Sequence, residues 1–164
     1  MTSRTTWAEK LNNAKGLPKV VKITGRMSKR WLAGRSLDEG QGTGTVAIPA
    51  PKEVYDLMAK VPKGKLITIN EIRTKIARKH KATIGCPITC GIFAWVSANA
   101  ADEINGKGKN MPFWRTLKSN GEINEKYPGG IQKQRKLLTE EGFKVFKKGE
   151  KYFVWDFEKK LVKI

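Results

Sequence analysis

A mainly α-helical domain closed by a small β-hairpin, with two helices set as a winged helix-turn-helix, is the fold class that three features of this sequence predict. In PKEVYDLMAKVPKG, Val54, Leu57, Met58 and Val61 recur at helical spacing. A strongly basic helical segment is followed by one built largely of small residues, and the chain closes with apolar residues alternating around Lys-Lys-Gly-Glu-Lys. With 164 residues and 39% hydrophobic content, the sequence supports one domain with a real core.

Thirty-three Lys and Arg against fifteen Asp and Glu give a net charge of +18, spread along the chain. Such a surface attracts polyanions at long range, so nucleic acid is the leading partner class. No apolar run reaches the roughly 18 residues that a membrane span requires, and the polar start MTSRTTWAEK lacks the apolar stretch of a signal peptide. An intracellular, monomeric protein is expected, cytoplasmic and nucleoid-associated or otherwise inside the cell, without membrane contact. Cys86 and Cys90 are four apart, a spacing at which a disulfide would close almost no loop, so reduced thiols are expected. Zinc is improbable with His80 as the lone histidine, and no cofactor is expected.

Residues 1–45 read as a basic arm and glycine-rich loop of uncertain order, with a short helix over Trp7–Leu11 and a strand within PKVVKITG. Residues 46–164 form the domain. Its first helix starts behind Pro51 and stops at Pro62 and Gly64. The next begins at Thr68, whose Thr-x-x-Glu spacing to Glu71 fits a capping box, and carries Arg73, Lys75, Arg78 and Lys79 around an Ile72/Ile76 face. A third runs from Pro87 through ITCGIFAWVSANAA. At about 100° per residue, Ile88, Ile92, Trp95, Val96 and Asn99 gather on one side of it. Cys90, Gly91, Ala94, Ser97, Ala98 and Ala101 gather on the other. Two readings of the small face stand side by side: close packing against another helix, or entry into the minor groove of duplex DNA, which is only about 6 Å wide. Further on, IQKQRKLLTEEG reads as a helix capped by Gly142, and FKVFKKGEKYFVWDF as a hairpin able to serve as the wing.

In this order of elements, residues 54–143 resemble the DNA-binding domain of the O6-alkylguanine-DNA alkyltransferase family, whose members repair alkylated guanine by accepting the alkyl group themselves. VYDLMAKVPKGKLITINEI is similar to the family's helix, Ile-Pro-x-Gly turn and following helix. NMPFWRTLKSNG stands where the family has Pro-Cys-His-Arg-Val and its Ser/Asp-Gly turn, and KYPGGIQKQRKLLTEEGF matches the Gly-Tyr-x-x-Gly to Leu-Leu-x-x-Glu-Gly run. The resemblance implies a reactive cysteine at Phe113 and its helper histidine at Trp114, so alkyl transfer is lost: neither ring offers a lone pair activated by a base. Glu141 keeps the position that orients the histidine, and Asn99 matches the asparagine of that network. The arginine that fills the stack behind a rotated nucleotide falls on Cys90, or on Ile88 in the other alignment, and the tyrosine that pushes the phosphate falls on Ile69.

The expected function is non-catalytic binding of double-stranded DNA, beside other DNA-repair or chromatin factors. Thr89, Cys90, Gly91, Ala94, Ser97 and Ala98 would enter the minor groove, while Arg115 and Lys118 contact phosphates. Ile69, Asn99, Phe113, Trp114, Tyr127 and Glu141 would line the remnant of the alkyl pocket. The resemblance also implies a second reading, an alkyltransferase-like sensor of O6-alkylguanine, since that group likewise lacks the cysteine. A third is a scaffold for RNA or an acidic protein.

Overall fold

The computed structural model describes residues 5–23, 44–105 and 111–163. The glycine-rich loop from Gly34, apart from its last two residues, and the polar insert after Asn105 fall outside them. Among the described residues the chain forms α1 (Trp7–Asn12), β1 (Lys19–Lys22), β2 (Thr45–Ile48), α2 (Pro51–Ala59), β3 (Ile67–Thr68), α3 (Ile69–Lys79), β4 (Ile84–Gly85) and α4 (Pro87–Asn105). A 3-10 turn (Phe113–Arg115), β5 (Thr116–Leu117), α5 (Gly130–Glu140), β6 (Val145–Lys148), β7 (Lys151–Val154) and a second 3-10 turn (Phe157–Lys160) complete it. The predicted class holds: a mainly helical domain with small sheets and a hairpin after its last helix.

The helical spacing of Val54 and Met58 buries both completely on α2, and Ile72 and Ile76 do the same on α3. These side chains meet Cys90, Ala94, Ala98 and Ala101 of α4, together with Phe113 and Tyr127, in the larger apolar cluster. A second cluster gathers Leu66, Leu117, Ile123, Leu138, Phe143 and Val154, and Trp114 packs against both. Glu71 accepts the Thr68 backbone N–H at 3.0 Å and the Thr68 hydroxyl at 2.8 Å, closing the first turn of α3. Gly142, at φ +93°, ends α5 in the left-handed conformation that favours glycine.

Residues 5–23 lie on the domain. Leu11 is buried against Val96 and Ala100, the Trp7 ring meets Trp95 edge-on at 4.7 Å, and the Glu103 carboxylate accepts the Trp7 and Ala8 N–H groups at the open end of α1. β1 pairs antiparallel with β2, and β2 pairs parallel with β4. The connection between α3 and α4 is longer than a simple helix-turn-helix turn because it carries β4 into this sheet. There Gly85 touches α3 so closely that a Cβ would stand 2.4 Å from the Arg73 carbonyl oxygen and 2.7 Å from its Cα.

Glu53 joins the ends of two helices. One carboxylate oxygen accepts the Ala50 N–H at 3.0 Å, and the other meets Lys79 Nζ and His80 Nε2, each at 2.8 Å. Burial pushes the Glu53 carboxyl upward, but Lys79, the Ala50 N–H and His80 outweigh it and hold the group below its usual value. No helix of the described residues is long and apolar enough to cross a membrane, and none of their His, Cys, Asp and Glu side chains form a group able to hold a metal.

Two outcomes are expected. Gly85→Ala forces the Arg73 backbone to move and should cost about 1–3 kcal/mol in chemical denaturation. Gly91→Ala, with nothing within 4 Å of its added Cβ, should be neutral or stabilising. The second outcome concerns acid. A depressed carboxylate contributes stability that is present above its unfolded pKa, about 4.3, and lost as pH falls through the lower folded value. Thermal melts between about pH 6 and pH 3 should therefore show a shallower acid loss in Glu53→Gln than in the parent.

Candidate nucleic-acid interface

Helix α4 turns its small face inward. Cys90, Ala94, Ser97, Ala98 and Ala101 are all at 0% exposure, whereas Ile88 is 56%, Ile92 47% and Trp95 36% exposed. This corrects the expectation that Cys90, Ala94, Ser97 and Ala98 contact DNA. Small side chains let the α4 backbone lie close against α2, and the dispersion gained along that seam decides the orientation of the helix. The bulky side is then divided: Val96 disappears beneath α1, Trp95 rests on Trp7 and donates its indole N–H to the Lys126 carbonyl at 3.1 Å, and Ile88 and Ile92 face outward. Thr89 and Gly91, half-buried on the first turns, remain on or beside this outward surface.

The two predicted phosphate contacts are engaged elsewhere. Arg115 lies between the Glu141 carboxylate, which its Nε reaches at 3.0 and 3.1 Å, and the Val61 carbonyl, which Nη1 reaches at 2.7 Å. Only 12% of the Arg115 side chain is exposed. Lys118 Nζ contacts Glu122 at 3.0 Å and Glu125 at 3.1 Å; burial disfavours its charge, but the two carboxylates raise its pKa overall. Both cations are therefore neutralised within the domain rather than offered to phosphates.

The residues expected around an alkyl pocket are partly brought together, and rings fill the space. Phe113 is 1% exposed; its ring meets Trp114 edge-on at 5.5 Å and Tyr127 at 6.1 Å. Ile69 packs against the same cluster. Burial raises the pKa of the Tyr127 phenol, which keeps it protonated. Asn99 does not join them: its side-chain amide donates to the Trp95 carbonyl of its own helix at 2.9 Å. Glu141, expected to border the pocket, is instead paired with Arg115. Neither cysteine replaces the missing nucleophile, since both are buried and burial, with Cys86 alongside, pushes the Cys90 thiol up to about 12.

Sequence reasoning missed the Arg115–Glu141 pair, which spans 26 positions. It also missed the hydrogen bond from Ser119 Oγ to Asn70 Oδ1 at 3.2 Å, which ties the Ser-Asn-Gly turn to the start of α3. The one available signal for the first was a glutamate, Glu141, that the family resemblance leaves without its histidine, in a chain with Arg115 close to Phe113.

Residues 49–143 match the family model described as 6-O-methylguanine DNA methyltransferase, DNA binding domain. No curated protein sequence matches the chain. Among solved structures it is similar to S. pombe Atl1 in complex with damaged DNA containing O6-carboxymethylguanine, at 23% identity and a TM-score of 0.49. It is also similar to S. pombe ATL in complex with DNA, at 23% identity and 0.48. Each alignment covers 70% of this chain and 94% of the other.

Removing one partner of a buried pair strands the other charge, so Arg115→Ala should lower stability by about 3–5 kcal/mol in urea denaturation. A phosphate-contacting arginine would instead leave stability unchanged and weaken DNA binding, and that result would reverse the assignment made for Arg115.

Proposed function

Because the chain belongs to the 6-O-methylguanine DNA methyltransferase DNA-binding family, we propose that it is a non-catalytic DNA-binding protein that engages the minor groove of duplex DNA with the outward face of α4. The observation that carries this reading is the row formed by Ile88, Gly91 and Ile92. Two exposed apolar side chains flank a glycine at the start of the second helix of the pair, in a chain of net charge +18. A slim helix tip with apolar projections suits a groove in which proteins insert Ile or Leu as wedges between base steps. Long-range attraction by the surplus lysines supplies the sequence-independent part of the affinity.

In this reading Gly91 stays at the interface with Ile88 and Ile92 in place of the buried small residues, and Thr89, whose hydroxyl oxygen is buried, flanks it without presenting that group. An intracellular position on DNA follows from that partner. Alkyl transfer has no support from Phe113, Trp114 or the buried thiols. Lesion sensing has less support than general binding, because Phe113 and Tyr127 occupy the centre of the expected pocket.

Fluorescence anisotropy with a labelled duplex tests the reading. Affinity should fall steeply with salt, by about 0.9 in log-log slope for each neutralised phosphate. The double variant Ile88→Asp/Ile92→Asp should bind at least about tenfold more weakly, with a melting temperature close to the parent's, since both side chains stand in solvent. A duplex carrying O6-methylguanine should compete within about a factor of two of its undamaged counterpart, under 0.5 kcal/mol. A preference above tenfold would replace this proposal with lesion sensing, and duplex binding that ignores the double variant would remove the α4 interface.

A further inference from the structure

The β6–β7 hairpin lies beyond the part of the chain that matches the family, and its two faces differ sharply. Cross-strand pairing sets Val145 opposite Val154, Phe146 opposite Phe153 and Lys148 opposite Lys151. Alternation along each strand puts Val145, Tyr152 and Val154 on the inner face, where they pack on the second apolar cluster. The opposite face carries Lys144, Phe146 and Lys148 from one strand, and Lys151, Phe153 and Trp155 from the other. Three aromatics on one face of a hairpin would ordinarily be packed beneath another element; here Trp155 is 60% and Phe146 37% exposed, with Phe153 half-buried between them.

The rings are held in a fixed arrangement. Phe146 and Phe153 stack at 5.7 Å with 25° between their planes, and Trp155 meets Phe146 edge-on at 5.7 Å. The Trp155 N–H extends the ladder by donating to the Lys144 carbonyl at 2.8 Å. Open cavities border this cluster on both sides. One, of about 460 Å³, lies between Trp155, Phe146, Lys144 and Arg135 of α5. The other, of about 270 Å³, lies between Trp155, Phe153, Asn120 and Phe157.

We infer that this face is a second nucleic-acid site, which stacks unpaired bases of single-stranded DNA on Trp155, Phe146 and Phe153 while Lys144 and Lys148 hold the phosphates; Lys151, whose Nζ lies 3.7 Å from Glu122 Oε1, is already paired within the domain. Aromatic rings in a cationic groove are the general solution for binding single strands, because every base has a π-face whatever its sequence. Charge selects against an apolar protein partner, which would leave the Lys144 and Lys148 ammonium groups without a counter-ion, and a net charge of +18 opposes docking of a second copy of this chain. A base paired inside a duplex keeps its faces covered, so the site prefers unpaired DNA. It is separate from α4 and stands or falls independently of the duplex-binding proposal.

The test uses the full chain and a fluorescein-labelled oligothymidine of about ten nucleotides. The parent protein should bind it, and Phe146→Ala/Trp155→Ala should weaken binding about tenfold or more while changing duplex affinity less than twofold. Trp155→Phe, which keeps a ring, should retain most of the affinity. Conversely, Ile88→Asp/Ile92→Asp should leave oligothymidine binding intact. The inference is overturned if the parent ignores oligothymidine, or if the alanine variant binds it as tightly as the parent. It is equally overturned if duplex and single strand lose affinity together, or if a polyglutamate peptide displaces the probe as well as unlabelled oligothymidine does. Circular dichroism of the alanine variant, expected to match the parent because both side chains are exposed, separates lost binding from lost fold.

Discussion

The ion pair between Arg115 and Glu141 ties together segments that contribute to the two apolar clusters of this domain. Arg115 belongs to the 3-10 turn, Glu141 caps α5, and the guanidinium also closes on the Val61 carbonyl just past α2. Three segments distant in sequence are thereby held to one point, and the Phe113–Trp114 rings beside it are drawn into the core. Taking both charges out of water is costly, and the attraction repays it only where geometry is good and the remaining donors are satisfied. Both carboxylate oxygens and all three guanidinium nitrogens are engaged here. Gln134, fully buried about two turns earlier on α5, reinforces the joint by donating to the Trp114 and Thr116 carbonyls and accepting the Asn124 N–H. A glutamate that the family resemblance links to a catalytic histidine thus has a structural task in this chain.

Helices α2 and α3 were legible because each has a strong contrast between its faces. Val54 and Met58, and Ile72 and Ile76, set apolar residues against polar ones on their helices and pack as that contrast dictates, whereas the hairpin was legible from its β-rich strands around the Lys-Lys-Gly-Glu-Lys turn and carries apolar side chains on both faces. Helix α4 has no such contrast, since both of its sides are apolar or small. What orients it is partner shape: α2 offers a close seam that only Ala, Cys and Ser can enter, and α1 supplies Leu11 and Trp7 to cover Val96 and Trp95. That partner lies some ninety residues upstream, in a segment whose local pattern gave no sign of where it would dock. Arg115 and Lys118 were misassigned for a related reason. A basic residue in a basic chain looks like a phosphate contact until its acid is found, and Glu141 lies 26 positions away.

Internal pairing also shapes the outer field. Glu53 is committed to Lys79 and His80, Glu141 to Arg115, and Glu122 to Lys118, each with its carboxylate largely shielded from solvent. Acids used in this way neutralise cations at the joints of the fold, and Asp102 and Glu122 pair in addition with Lys133 of α5 and Lys151 of the hairpin. A surplus of +18 is therefore felt mainly at the surface. Exposed apolar groups set within such a field differ from an aggregation-prone patch, because like charges around them oppose self-association while favouring a polyanion.

The turn from Lys118 to Gly121 connects the two exposed surfaces mechanically. Ser119 hydrogen-bonds to Asn70 at the start of α3, the Gly121 carbonyl accepts the Val154 N–H of the hairpin, and the Ile123 N–H donates to Tyr152. Gly121, at φ +83°, lies so close to Phe157 that an added Cβ would stand 2.3 Å from its ring. Were the helix pair and the aromatic face both to bind DNA as proposed, this link between them would turn two modest affinities into one strong one only for a ligand of matching span. DNA in which a duplex adjoins an unpaired stretch has both kinds of surface at a set distance, whereas uniform duplex or uniform single strand can satisfy one face at a time.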